Sequence, residues 1–216
     1  MENYPIIPVK LKSFLYIFLI SLLVFGYSNS FANGNRLKFV ILLGVSQAEI
    51  EKDTYDELGI KFLKKGVEKL KAEFNEMDVD LEVINEAKYY DFKDAVASNY
   101  TLGVIWIGHG GKKGLLLDSN NLPFTHSYFE QISFRLRYVG IMSCFSSYTL
   151  DGNNELESSV DYLKVWDSEI SGAEIIAHLF SSDTLFRQAM AEISEDVKVL
   201  NRIIKKSSCD NYLDPK

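Results

Sequence analysis

An α/β fold on a mostly parallel sheet is what this chain predicts, and three observations carry the prediction. Short apolar runs rich in β-branched residues recur along it, bounded by glycine and polar residues, as strands covered on both faces are. Between them lie stretches whose apolar residues return every three to four positions, the mark of helices with one buried face. The alternation of the two calls for parallel pairing through right-handed crossovers. With 216 residues and 47% hydrophobic composition, the chain is long enough for one good core, so a single domain is expected.

Residues 37–45 (LKFVILLGV) are continuously apolar and read as the first central strand. Leu63, Val67, Leu70 and Phe74 follow at i, i+4, i+7 and i+11, the stripe of a helix lying on a sheet. In residues 79–84 (VDLEVI), Val79, Leu81 and Val83 alternate with acids, as expected of a strand nearer an edge. A short helix over 91–98 precedes a strand over 102–108, which ends where His109 begins. Residues 115–117 are too short for a core element and read as one arm of a small hairpin, with Asn120-Asn121 marking a turn before Pro123. Phe124, Tyr128, Ile132 and Leu136, spaced by four, predict a helix over 124–137, and a strand over 139–143 then runs into Cys144. Residues 145–159 are polar, contain the turn signal Asp151-Gly152-Asn153-Asn154, and read as a long loop of the kind that binds substrate or forms a lid. A further strand is expected over 160–166 and helices over 173–181 and 183–205, the last with Leu185, Ala189, Ile193, Val197, Leu200 and Ile204 on one side.

The amino terminus reads as an address rather than as part of the fold. Lys10 and Lys12 precede an apolar run from Phe14 to Gly26, and Ser30-Phe31-Ala32 presents small residues where a signal peptidase reads. Those 13 residues fall short of the roughly 18 or more of a spanning helix. Residues 1–32 are therefore expected to be a cleaved signal, 33–206 the domain and 207–216 a polar tail, with the protein periplasmic or secreted. An uncleaved signal would instead anchor the chain in a membrane by residues 14–27. The net charge of −7 and the isolation of the pairs Lys64-Lys65, Lys112-Lys113 and Lys205-Lys206 argue against a nucleic-acid partner.

Two buried strands of a parallel sheet that end on His109 and Cys144 deliver both residues to the carboxyl edge, where open α/β folds put their sites. A thiol beside an imidazole is the minimal equipment for nucleophilic acyl transfer, because the base and the field of the imidazolium keep the sulfur as thiolate. Two other roles for Cys144 stay open: a disulfide to Cys209, and inert packing as a small hydrophobe. Gly110-Gly111 let backbone approach a ligand closely or simply make a tight turn. Asp167, just after the last expected strand, is a candidate to line a specificity pocket for a basic side chain, whereas Asp118 suits a turn. His126 reads as a surface residue, and His178 and Trp106 as packing. The glycines fit neither a phosphate loop nor a dinucleotide fingerprint. Three scattered histidines and two distant cysteines offer no zinc site, so no metal or organic cofactor is implied. His109-Gly110-Gly111 is also compatible with an esterase oxyanion motif, but that fold needs Gly-x-Ser-x-Gly, and this chain has Gly140-Ile141-Met142-Ser143-Cys144.

The segments Gly108-His109-Gly110-Gly111, Gly114-Leu115-Leu116-Leu117-Asp118 and Ile141-Met142-Ser143-Cys144-Phe145-Ser146 resemble the caspase-like cysteine peptidases, the group of caspases, legumains, clostripain, gingipains and separases. In element order the resemblance covers residues 37–180. It implies a three-layer α/β/α domain, a His109–Cys144 dyad acting on a peptide or protein substrate, and an oxyanion hole made by the Gly110 and Cys144 N–H groups. The Gln-Ala-Cys-Arg/Gln-Gly signature of caspases proper is absent, and the spacing 144 − 109 = 35 is shorter than their roughly 50. Caspase specificity therefore does not carry over. A caspase-fold module that binds without catalysing is the alternative function, and an esterase the third.

Overall fold

The computed structural model describes residues 36–51, 57–111, 115–124, 131–150 and 154–210. The apolar runs form its centre. Strands β1 (Lys38–Gly44), β2 (Asp80–Ile84), β3 (Thr101–Gly108), β7 (Tyr138–Met142) and β8 (Tyr162–Lys164) make one five-stranded sheet in the order β2-β1-β3-β7-β8. Every neighbouring pair is parallel. The alternating run of residues 79–84 lies at one edge, as its pattern predicts. The three runs with continuous apolar sequence are the interior strands β1, β3 and β7. Three shorter strands, β4 (Gly110–Gly111), β5 (Leu115–Leu117) and β6 (Pro123–Phe124), form a separate antiparallel sheet beyond the end of β3.

Helices cover both faces of the large sheet, because successive strand residues present side chains to opposite sides. On one face Phe39 packs against Phe74 of α2 (Glu57–Glu76) and Phe186 of α6 (Leu185–Asp210), with ring centroids 4.9 and 5.8 Å apart. Helix α5 (Gly172–Phe180) joins this layer and brings His178 to Tyr138. On the other face Val40, Val104 and Ile141 meet Phe92 and Val96 of α3 (Tyr89–Ala97), together with Leu116 and Phe124 of the small sheet. Trp106 is fully buried there, edge-on to Phe92 and Phe124, and its indole lies over Gly44 and Gly108, where no side chain would fit.

Four expectations need correction. The helix expected over 124–137 does not span that range: Phe124 belongs to β6, and residues 131–137 are irregular, held by Ser133 N–H to the Val96 carbonyl and Arg137 N–H to the Leu102 carbonyl. Phe124, Ile132 and Leu136 enter the core separately rather than as one helical stripe; Tyr128 and His126 lie outside the described residues. The polar stretch 145–159 is more ordered than a loop. It holds a 3₁₀ helix (Ser146–Leu150) and α4 (Asn154–Ser159), whose Leu156 is fully buried. The strand expected over 160–166 is reduced to the three residues of β8, and α6 continues past residue 206 to Asp210. The amino-terminal segment, residues 1–32, lies outside the described residues. No helix among the described residues is long and apolar enough to cross a membrane.

Candidate active site

Strand pairing brings the two candidate residues to one edge of the sheet. Strands β3 and β7 are parallel neighbours with Ile107 opposite Met142. That offset, 142 − 107 = 35, equals 144 − 109 = 35, so His109 and Cys144 leave adjacent strands at the same level of the carboxyl edge. The sheet order reverses between β1 and β3, since β1 connects outward to β2 and the chain returns on the far side as β3. His109 thus emerges at a topological switch point, where two connections diverge and leave a crevice.

Helix α1 (Gln47–Glu51) follows β1 on the other side of that crevice. Its entry is a capping box, in which Glu49 N–H is 3.3 Å from Ser46 Oγ while Glu49 Oε2 accepts from Ser46 N at 2.9 Å and Ser46 Oγ at 2.7 Å. The second oxygen, Oε1, lies 3.0 Å from His109 Nε2. The Ser46 hydroxyl, the Ser46 N–H and, after partial opposition from burial, His109 hold the Glu49 carboxyl below its ordinary range, so it is ionised at neutral pH. A carboxylate only accepts, and His109 therefore donates from Nε2. About a third of each side chain is exposed, 32% for His109 and 37% for Glu49. Neither is sealed from a ligand.

Gly110 is fixed by two constraints. Leu117 N–H donates to the His109 carbonyl at 3.0 Å, and the pairing sets Gly110 opposite Leu116. In an antiparallel ladder this makes Gly110–Leu116 a non-hydrogen-bonded pair, so the Gly110 N–H points away from β5. A Cβ at Gly110 would collide with the Cys144 carbonyl oxygen and the Ser143 hydroxyl. Glycine is thus required here because backbone meets backbone.

Cys144 is a partly buried free thiol; the Cys209 side chain, the other half of the alternative disulfide, lies outside the described residues. Its Sγ lies 4.0 Å from the Ile170 carbonyl oxygen, a long and weak contact. The next residue, Phe145, has a φ of 56°, a left-handed conformation that costs a non-glycine residue about 1–2 kcal/mol. Its surroundings over-determine it. Phe145 N–H donates to the Ser168 carbonyl and Ser147 N–H to the Trp166 carbonyl, both at 2.9 Å. Between them the buried Ser146 hydroxyl donates to the Ile141 carbonyl at 2.8 Å and accepts from Trp166 N–H at 2.9 Å. The segment after Cys144 and residues 166–170 therefore run side by side.

Asp167 lies in that second segment, exposed between the two bonded carbonyls, so the structure brings it to the same edge as Cys144. Asp118 makes a turn: its Oδ1 accepts from Asn120 N and Leu122 N, both at 2.9 Å. His178 is buried away from the edge, with Nε2 2.8 Å from the Tyr138 hydroxyl. Among the described residues no group of three or more His, Cys, Asp or Glu side chains converges as a metal site would. Sequence reasoning missed Glu49, though Ser46-Gln47-Ala48-Glu49 after the first strand is a legible capping box. It also missed Ser146, whose bridging role depends on how a distant segment returns. Neither the protein-family models nor the curated proteins searched match the chain.

Proposed function

We propose that this protein is an exported cysteine peptidase of the caspase-like type, with Cys144 as nucleophile and His109 as its acid–base partner. The observation that carries the reading is the register of β3 and β7, whose last pair, Ile107 opposite Met142, lies two residues before His109 and two before Cys144. The strand order, the small antiparallel sheet after β3 and the close packing of Gly110 on Cys144 support it.

The chemistry is acyl transfer. The Cys144 thiolate attacks the scissile carbonyl carbon, forming the C–S bond while the carbonyl π electrons move to oxygen. The Gly110 N–H, turned out of the hairpin, and the Cys144 N–H stabilise that oxyanion, a contribution of about 3 kcal/mol per donor in other acyl-transfer enzymes. As the oxyanion collapses, the C–N bond breaks and the imidazolium of His109 protonates the leaving amine. Neutral His109 then takes a proton from water, whose oxygen displaces the sulfur and releases the acid. Asp167, exposed next to the segment that follows Cys144, suits a substrate with a basic side chain. Residues 1–32 would direct export before removal.

Hydrolysis of a mixed peptide library by wild-type protein and by Cys144→Ala tests the reading. Cleavage by the wild type that disappears in the variant is expected; retained cleavage in Cys144→Ala would refute the cysteine mechanism.

A further inference from the structure

We propose that His178 is an acid-operated clasp on the loop of residues 166–170, holding that loop along the Cys144 segment when neutral and releasing it when protonated. The clasp does not depend on the peptidase reading, although the loop it holds borders the thiol. Residues 166–170 join β8 to α5. At the head of the loop, Trp166 N–H donates to Ser146 Oγ and the Trp166 carbonyl accepts from Ser147 N–H, both at 2.9 Å. At its tail the Ile170 carbonyl lies 4.0 Å from Cys144 Sγ. Helix α5 then brings His178 back to Trp166, edge-on with ring centroids 5.6 Å apart, and to the Tyr138 hydroxyl of β7, 2.8 Å from Nε2. One buried ring thus joins both ends of the loop to the sheet.

The clasp closes only around a neutral ring. Tyr138 is fully buried, and among the described residues its hydroxyl has no hydrogen-bond partner but His178. With Nε2 unprotonated, the hydroxyl donates to it and both groups are satisfied. An imidazolium carries a proton on each nitrogen, so two donors would face each other. Should the hydroxyl turn to accept, its own proton would point into buried space without an acceptor. The charges around the ring add to this. From β8 the Lys164 ammonium, 4.5 Å from the centre of the Trp166 ring, acts on His178 with the same sign as an imidazolium. From α2 and α6 the cations Lys69 and Arg187 sit over Phe180, two residues on, with Arg187 paired to Glu73. On α5 itself the Glu174 carboxylate, one turn back, is held by the N–H and hydroxyl of Ser171.

Linkage sets the direction and the range. In a released loop the ring takes its proton at the ordinary 6.5, whereas against Tyr138 burial, with a lesser contribution from Lys164, lowers this to about 4. Between those values the released state binds the proton that the clasped state refuses. Acid therefore favours release by about tenfold per pH unit below 6.5, and gains nothing more below about 4. Release need not unfold the sheet. Asp167, Ser168 and Glu169 are exposed, so the middle of the loop contributes no side chain to the core, and such segments open at lower cost than the strands they border.

Native-state hydrogen exchange at amide resolution tests the clasp in purified wild type and His178→Gln, at pH 7 and pH 5, with rates corrected for the intrinsic pH dependence of exchange. Glutamine keeps an acceptor for the Tyr138 hydroxyl but does not titrate. The amides to follow are Phe145, Ser147 and Trp166, whose bonds tie the loop to the Cys144 segment. In wild type their protection should fall about 20-fold from pH 7 to pH 5, as one group shifted between 6.5 and about 4 requires. In His178→Gln it should stay constant. These amides should also be less protected than those of β3 at both pH values, because the loop opens without global unfolding. An equal fall in His178→Gln, or protection equal to that of β3, would overturn the proposal. Should His178→Gln fail to fold, wild type alone decides: the loss of protection must follow protonation of the His178 ring in its own NMR titration, and a loss that does not follow it would overturn the clasp as well.

Discussion

At Gly110 a single hydrogen atom separates function from collision. The Cys144 carbonyl and the Ser143 hydroxyl occupy the space a side chain would need, and neither is the far end of a flexible chain. Gly110→Ala should therefore cost about 1–3 kcal/mol, as overpacking generally does, and should displace the backbone N–H assigned to the oxyanion. The expected outcome is a lower denaturation midpoint in urea together with a kcat loss larger than any fall in folded fraction explains. Equal losses would confine Gly110 to a packing role. This requirement is only half legible in the sequence. A Gly-Gly pair after a strand announces close approach, but the direction of its N–H follows from the pairing of Gly110 with Leu116 across a turn whose register no local pattern encodes.

The elements that carry the site are the ones most plainly written in the chain. β1, β3 and β7 are buried on both faces, so their sequences are continuously apolar, and all three pair in parallel. The helix expected over 124–137 does not span that range, for an equally physical reason. Apolar residues at steps of four need not share a face, and Phe124 pairs in a strand with Leu116 while Leu136 is buried beside α3. Beyond Cys144 the decisive feature is a junction, and junctions leave little trace in periodicity. Ser146 ties the end of β7 to Trp166, and its hydroxyl is buried with partners on both sides. Ser146→Ala would leave the Ile141 carbonyl and the Trp166 N–H without that partner, at a cost of about 1–3 kcal/mol. It would also free residues 166–170, which border Cys144. A raised KM with a smaller change in kcat is expected for peptide cleavage, alongside reduced stability in urea; unchanged values of both would show the junction to be dispensable.

For the whole molecule, acid is the condition to which stability should respond most sharply. Burial, with a lesser contribution from Lys164, lowers the His178 pKa from 6.5 to about 4. The folded protein thus holds this ring neutral against Tyr138 between Trp166 and α5. The unfolded chain binds a proton near pH 6.5 that the folded chain refuses until about pH 4, so stability falls as pH drops through that window and levels off below it. At about 1.4 kcal/mol per pKa unit the loss is on the order of 3 kcal/mol. His178→Gln, which keeps a hydrogen-bonding partner for Tyr138, should flatten the dependence in urea unfolding measured from pH 7 to pH 4; an unchanged slope would place the acid sensitivity elsewhere. The proposal that the fold sets a reactive Cys144 thiol beside the His109 imidazole is tested most directly by mapping the site of covalent modification. The purified protein is treated with thiol-directed peptide probes differing only at the residue before the reactive group, and the adduct is located by mass spectrometry in wild type, Cys144→Ala and His109→Ala. The account predicts one adduct, on Cys144, absent in Cys144→Ala and formed more slowly and at higher pH in His109→Ala, with peptide hydrolysis lost in both variants. Adducts on Cys209 alone, or hydrolysis that survives Cys144→Ala, would contradict it.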